Sequence, residues 1–587
     1  MSTQAEIIAR LPRHLRPYAC VQDYARYTAR DHAVWRFIMH QLTRSLEHSA
    51  HPVYFEGLKK TGIRLDRIPS IDEMNRCLGP LGWSALVVDG YIPTSVFSEF
   101  QMRRILAIAM DMRSIDNILY TPAPDIVHES AGHAPFIVDV DYAEYLQRFG
   151  EISMKAISTQ ADHAVFLAIR ALSALKEARN ASDAELANAQ AGLDAALAAN
   201  DHSSEAARLA RLQWWTIEYG LVGDVADYKL FGAGLLSSLG ESRSCLDDGA
   251  VRKLPLTVEA VNTPYDITRP QPQLFVARSC QHLTQVLEVF AQGMCFRKGG
   301  AESLRVAIDS GSVCTARYNS GLEVGGVFDR VLTDAIGNAI YLGTRGPTQL
   351  AFQGRELVGH GVETHAEGYG SPVGRLQGLP RCLSDYSVDE LKSLGIAVGR
   401  NVRLDYLSGI RVQGRLDSLR RESGRNLIFS FSDCTVTGLA GERLFEPHWG
   451  RYDLGVGEAI VSVCGGPADR ESLADTEAFD TTTREPAQPS PTDRQLDAIY
   501  ADLRALRERG APASSDLQPI ENALQRFPGE WLARLELLEL ANADRAERLQ
   551  RELAHLAQCD ADKRPLIEMG LGGLSEATTR PAPSRTA

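Results

Sequence analysis

The sequence is poor in the features that mark several protein classes. Its ten cysteines are scattered singly over 587 residues, with no CxxC pair and no disulfide-like framework. That pattern fits reduced thiols in a cytoplasmic protein, and Cys314 and Cys464, set in apolar strand-like runs, read as core residues. No stretch approaches the roughly 20 apolar residues that a membrane span requires. The opening MSTQAEIIARLPRHLRPY lacks the apolar core of a secretory signal. Positive charge is also short: 62 Lys and Arg stand against 75 Asp and Glu, a formal net charge of −13. Nucleic acid is thereby disfavoured as the main partner, because phosphate binding needs concentrated Lys and Arg. No repeat of fixed period is present. What remains, 44% hydrophobic and 23% charged residues, is the composition of a soluble globular protein. Its length is too great for a single hydrophobic core and implies two or three folded units.

The texture of the chain suggests where those units lie. Helix-like periodicity with Gly/Pro loops runs to about residue 300. Within it, residues 157–211 are rich in Ala, Leu, Glu and Arg, with Asn-Ala-Ser-Asp as capping residues midway, and read as an inserted helical hairpin. Residues 301–466 carry short Val/Ile/Leu/Tyr runs such as AIYLG and LIFSFSDCTVTGL between Gly and Asp/Asn turns, the pattern of a β-rich domain. Residues 467–492 are polar with Thr and Pro clusters, as in a flexible linker. Helical periodicity returns over 493–560, and residues 561–587 read as a disordered tail. The expected fold class is therefore multidomain: a mainly α unit, a β-rich domain and a C-terminal helical segment.

Chemistry concentrates in Tyr120-Thr-Pro-Ala-Pro-Asp-Ile-Val-His-Glu-Ser-Ala-Gly-His-Ala-Pro135, which holds His128 and His133 five residues apart with Glu129 after the first. A zinc protease of the HExxH kind spaces its histidines by four. Five residues subtend about 500° on an α-helix, so a shared ligand needs the helix to end or bend between them, and Gly132 and Pro135 offer such a point. Farther on, Leu212-Gln-Trp-Trp-Thr-Ile-Glu-Tyr-Gly-Leu221 sets one carboxylate, Glu218, among apolar and aromatic residues, where an unpaired charge is costly. Two histidines and a carboxylate make the facial triad of non-haem Fe(II) oxygenases, with positions left for water and O₂. Spacing alone leaves packed or surface histidines and a salt-bridged glutamate as open readings.

PDIVHESAGHAPF resembles the iron-binding motif of the aromatic amino acid hydroxylases, the family of phenylalanine, tyrosine and tryptophan hydroxylases. WWTIEYGL resembles the stretch bearing that family's third ligand, and FGAGLLSSLGES at 231–242 resembles a later signature. The resemblance extends from about residue 12 to 298 and implies a mostly helical catalytic domain. It further implies that His128, His133 and Glu218 hold Fe(II), and that Arg113 holds the substrate carboxylate with Asp125 in support. A guanidinium fork suits a carboxylate. By the same resemblance Thr121 and Ser237 lie near the substrate backbone, Pro124 and Trp214 wall the amino-acid pocket, and Glu129 is the catalytic acid beside pterin and the open iron positions. Gly90-Tyr-Ile-Pro-Thr-Ser-Val-Phe97 resembles the loop against the pterin, with Ile92 and Phe97 as cofactor contacts. The implied cofactors are Fe(II) and a tetrahydropterin, either tetrahydrobiopterin or a bacterial equivalent. The implied partners are O₂ and a free aromatic amino acid, phenylalanine first, by analogy with the bacterial enzymes.

Three departures bear on this expectation. His133 and Glu218 lie 85 residues apart, much farther than in animal members, and the Ala-rich hairpin accounts for the excess. Gln213 stands where many relatives carry a tyrosine near the iron, while Tyr219 follows Glu218. Nothing beyond residue 300 is recognised. Tryptophan or tyrosine as substrate, a zinc hydrolase, and an idle sensing or assembly relative are the competing readings.

Overall fold

The computed structural model describes all residues except 1–2, 91, 120–123, 178–180, 201–203, 268–269, 474–489, 511 and 580–587. The first long helix, α1 (Ala29–Ser45), starts where Thr28 and Asp31 form a reciprocal capping box. Its inward face buries Trp35, Ile38, Met39 and Leu42 completely. Two parallel strands follow, β1 (Ser84–Val88) and β2 (Ile105–Ala109), both apolar through most of their length. α2 (Val140–Ser153) begins at Asp139, whose side chain accepts from the Tyr142 N–H.

Next comes a hairpin of two helices, α3 (Gln160–Glu177) and α4 (Asp183–Ala199), the second opened by a Ser182–Glu185 capping box. Leu172 and Leu193 are buried in an otherwise mostly exposed pair. α5 (Glu205–Gln213) carries the chain back into the body. Strands β3 (Leu221–Asp224), β4 (Asp227–Leu230), β5 (Arg252–Pro255) and β6 (Gln273–Ala277) form a mixed sheet ordered β4-β3-β6-β5, and between them lies the short α6 (Ala233–Ser237).

The texture changes after α7 (Gly300–Ser310), a helix inside the stretch expected to be β-rich from residue 301. AESLRVAIDS is composed of good helix formers, and Gly311, at φ +63°, ends it in a left-handed C-cap. Strands begin only at β7 (Val313–Tyr318), followed by β8 (Leu322–Thr333), β9 (Ala339–Phe352), β10 (Arg355–Glu356) and β11 (Gly368–Pro372). A second group comprises β12 (Asn401–Asp405), β13 (Arg411–Glu422), β14 (Arg425–Thr437), β15 (Arg443–Phe445) and β16 (Tyr452–Gly455), and β17 (Ile460–Gly465) returns to the first group. The two antiparallel sheets are ordered β10-β9-β8-β7-β17, with β11 on β9, and β12-β13-β14-β15, with β16 on β14.

The expected flexible linker lies mostly outside the described residues, at 474–489. Its described start is tied down: Asp469 is buried, accepts from the Glu356 N–H at 2.9 Å and donates its own N–H to Gln349. The C-terminal helices α8 (Pro491–Arg509), α9 (Ser514–Leu524), α10 (Trp531–Leu538) and α11 (Ala543–Cys559) share one hydrophobic cluster with the N-terminal body. Trp531 meets Phe37 of α1 edge to face at 5.1 Å, and Arg36 of α1 pairs with Glu536 at 2.9 Å and Glu539 at 2.6 Å. The expectation of disorder over 561–587 is wrong for its first part. Helix α12 (Arg564–Thr579) buries Leu566 and Ile567, because the run PLIEMGLGGL supplies an apolar face that the polar residues after it lack. Residues 580–587 lie outside the described residues. No helix among the described residues is long and apolar enough to cross a membrane.

Candidate metal centre

The segment bearing the two histidines neither ends nor bends as the α-helical spacing requires. His128–His133 is π-helical. Hydrogen bonds of the i→i+5 type widen the turn, so residues five apart fall on one face, a geometry that recurs at functional sites. Gly132 therefore has a different task from ending the helix: a Cβ there would lie 2.8 Å from the Ala233 carbonyl oxygen and 3.0 Å from the Ala233 Cβ. It allows α6 to approach the π segment. Pro135 sits in the first turn of the 3-10 helix Ala134–Val138 that follows, where its missing N–H is no loss. Glu218 lies on a second π-helical segment, Trp214–Glu218, that continues α5.

These segments bring three side chains together. His128 Nε2 lies 3.1 Å from His133 Nε2 and 3.1 Å from Glu218 Oε2, and His133 Nε2 lies 3.5 Å from Glu218 Oε2. The triangle of two imidazole nitrogens and one carboxylate oxygen has the size that lets one divalent ion sit about 2.1 Å from each corner. Burial alone would raise the Glu218 carboxyl, but His133 and His128 outweigh it and hold the group well below the usual carboxylate range.

The surroundings fix the tautomer of His128. Ser237 Oγ donates to the Ala233 carbonyl at 2.7 Å, so its free lone pair accepts from His128 Nδ1–H at 3.1 Å. His128 Nε2 is then unprotonated and faces the other two donors, as a metal-ligating histidine must. Asp125 organises the start of the segment. Its Oδ1 accepts from the His128 N–H at 3.0 Å, and Arg113 grips both carboxylate oxygens, Nη2 to Oδ1 at 2.7 Å and Nε to Oδ2 at 2.8 Å. Arg113 Nη1 also donates to the Ser237 carbonyl at 3.0 Å. Although burial works against its charge, Asp125 is held below its ordinary value by Arg113. Glu129 is also buried, 3.9 Å from His133 Nε2, and burial pushes its carboxyl up to about 8.

The remaining expected residues divide. Trp214 stacks between Tyr219 at 4.6 Å and Tyr265 at 4.3 Å, so it stands in an aromatic wall beside Glu218. Tyr265 was not anticipated, since it stands in a Pro-containing loop without a motif. Pro124 is exposed, next to Asp125, and Thr121 lies outside the described residues. Ile92 and Phe97 are half-buried against a separate small cluster that includes Leu86, Val96 and Phe100. Gln213 is half-buried in the last turn of α5, immediately before the second π segment. Ser237, expected near the substrate backbone, is engaged by His128 and by α6.

The close approach at Gly132 is testable. Gly132→Ala is expected to push α6 from the π segment and lower stability by about 1–3 kcal/mol. A fall in the thermal midpoint together with weaker metal retention would be observed, since Ser237 moves with α6. An unchanged midpoint would show that the contact yields freely.

Residues 8–169 and 179–298 match the family described as biopterin-dependent aromatic amino acid hydroxylase. The unmatched stretch between them, 170–178, falls almost wholly on the C-terminal half of α3. The chain is 28% identical over 264 residues to a phenylalanine-4-hydroxylase of Chromobacterium violaceum, spanning 45% of this chain and 74% of that one. It is 29% identical over 272 residues to a phenylalanine-4-hydroxylase of Ralstonia nicotianae, spanning 46% and 73%. A crystal structure of the C. violaceum phenylalanine hydroxylase with bound iron(III) and oxidised cofactor 7,8-dihydrobiopterin aligns over 47% of this chain and 85% of that one, at 26% identity and a TM-score of 0.37.

Proposed function

We propose that the chain, whose residues 8–169 and 179–298 match the biopterin-dependent aromatic amino acid hydroxylase family, is an iron- and tetrahydropterin-dependent monooxygenase converting free phenylalanine to tyrosine. The observation that carries this reading is the triangle of His128, His133 and Glu218, two imidazole nitrogens and one carboxylate oxygen within 3.5 Å of one another. That donor set suits Fe(II) oxygen chemistry. Phenylalanine as the substrate rests on the relatives, and a cytoplasmic setting on the unpaired cysteines.

In this reading, Fe(II) held by His128, His133 and Glu218 would activate O₂ and tetrahydropterin would supply two electrons, one oxygen atom going to the ring and the other to the pterin. The protein's own residues bind, orient and exclude water. Arg113 has five N–H donors, of which three are spent on Asp125 and Ser237, so two remain for an α-carboxylate. Trp214, braced by its two tyrosines, walls the side chain, and Ser237, whose carbonyl Arg113 holds, stands toward the substrate backbone. Ile92, just before the helix Thr94–Met102, and Phe97 on that helix are the residues this reading gives to the pterin. Glu129 places its carboxyl beside His133, where it can orient the pterin and a water or oxygen species.

The test is anaerobic reconstitution with Fe(II), then air, tetrahydropterin and each of phenylalanine, tyrosine and tryptophan, with products read by mass. Gain of one oxygen atom by phenylalanine, dependent on both iron and pterin, is the expected outcome. Oxidation of another amino acid alone would move the substrate. Iron binding without any oxidation would reduce the chain to an idle relative.

A further inference from the structure

The β-rich part holds a second cluster of ligand-type side chains that the hydroxylation reaction does not use. His360 Nδ1 lies 3.4 Å from His365 Nε2 and 3.6 Å from Asp453 Oδ2, and His365 Nε2 lies 3.8 Å from Asp453 Oδ2. The side chains are 7%, 9% and 3% exposed in that order. We propose that His360, His365 and Asp453 form a second metal site, for one divalent ion of the iron-to-zinc range, that clamps the two β-sheets together.

The backbone builds the cluster from both sheets. Strand β9 holds the two histidines: the Leu350 N–H donates to the His360 carbonyl at 2.9 Å and the Thr348 N–H to the His365 carbonyl at 3.1 Å. A tight turn closes between them, with the Thr364 N–H donating to Gly361 at 3.0 Å and the His365 N–H to the same carbonyl at 3.2 Å. Asp453 comes from β16 in the other sheet. Its Oδ1 accepts from Ser430 Oγ on β14 at 2.5 Å, which turns Oδ2 toward the imidazoles. The Tyr369 ring covers His365 edge-on at 5.5 Å. Two ligands on one hydrogen-bonded turn segment and a third on a strand of the other sheet are what a preorganised clamp requires.

The competing reading is a hydrogen-bonded His–His–Asp network neutralised by Arg451, whose guanidinium contacts both Asp453 oxygens at 2.8–3.1 Å. The distances decide against it. Good hydrogen bonds to these atoms are about 2.7–3.2 Å long, and all three separations exceed that. A triangle with sides of 3.4–3.8 Å instead fits an ion about 2.1 Å from every corner. Two neutral imidazole nitrogens with one carboxylate oxygen select a borderline first-row ion over Ca²⁺ or Mg²⁺, which favour all-oxygen shells. Arg451 is half exposed and can leave the far side of the carboxylate.

The experiment uses the untagged full chain with the first site removed, as His128→Ala/Glu218→Ala, dialysed against Co(II) or Zn(II). One ion per chain is expected by metal analysis, with Co(II) absorption characteristic of nitrogen ligation and a higher thermal midpoint in Zn(II). Adding His365→Gln, which keeps a polar side chain, should abolish the ion and the midpoint shift while the circular dichroism stays the same. Arg451→Met should tighten binding several-fold by freeing Asp453, whereas the hydrogen-bonded network predicts destabilisation that Zn(II) does not reverse. The proposal is overturned if the doubly substituted chain binds no ion, or if its ion survives both His360→Gln and His365→Gln.

Discussion

Replacing His128 or Glu218 by alanine is expected to remove iron and hydroxylation together while leaving the chain folded. Each supplies one corner of a triangle with sides of 3.1, 3.1 and 3.5 Å, and two corners do not hold an exchangeable divalent ion at ordinary concentrations. Turnover should fall by at least three orders of magnitude, about 4 kcal/mol of lost transition-state stabilisation. Folding should survive, because neither side chain anchors a helix: the His128 N–H keeps Asp125, and the two π segments keep their own backbone hydrogen bonds. Ser237→Ala offers a graded companion. It leaves all three ligands but frees His128 Nδ1, and loss of such an outer partner costs about 10–100-fold in metal affinity. Iron content, circular dichroism and initial rate measured on the same preparations check all of this. If His128→Ala retained both iron and turnover, the ligand assignment would be gone.

The same site shows how far a sequence can be read. The residue types were legible because HESAGH and WWTIEYGL carry donors of known chemistry in an order that a family repeats. The geometry was not legible from α-helical arithmetic, which separates His128 and His133. The π turn that joins them has no compositional signature. Nor did Ser237 announce its hydrogen bond to His128, since the two are 109 residues apart. Gly132 was visible as a special position but for the wrong reason: helix termination and close packing both call for glycine, and only the distance to Ala233 distinguishes them. Outside the site, helical runs were readable wherever capping residues and an apolar stripe coincided, as at Thr28 and Ser490. Residues 564–579 were misread because polar composition near the end outweighed one short apolar face, whose partners lie on helices elsewhere in the chain. His360 and His365 were passed over because their carboxylate, Asp453, lies far along the chain on another sheet.

Arg113→Ala is expected to do two separable things, and the buried pair it belongs to tells how to separate them. The family resemblance makes Arg113 a substrate-binding residue whose loss raises the amino-acid concentration needed. In the fold its side chain is 1% exposed and grips Asp125, itself 4% exposed, through two hydrogen bonds. Removing the arginine strands a buried carboxylate, and breaking a buried pair on one side costs about 3–5 kcal/mol. The pH dependence has a definite sign. With Arg113 present, the Asp125 carboxyl sits below its unfolded value, so it contributes stability above about pH 4 and loses it as pH falls through the folded value. Without the guanidinium, only the backbone N–H groups of residues 113 and 128 oppose burial and the carboxyl rises, so the variant is penalised at neutral pH and the gap to the parent closes on acidification. Denaturant titrations at pH 7 and near pH 4.5 should show that narrowing. Arg113→Ala/Asp125→Asn then replaces the stranded charge with a neutral amide, and most of the lost stability should return. The amino-acid KM should stay raised, because the two free guanidinium donors are still missing. Recovery of KM along with stability would mean that Arg113 acts only as the partner of Asp125 and never touches substrate. Arg113→Lys should fail in both respects, since an ammonium cannot fork across two carboxylate oxygens and still reach the Ser237 carbonyl.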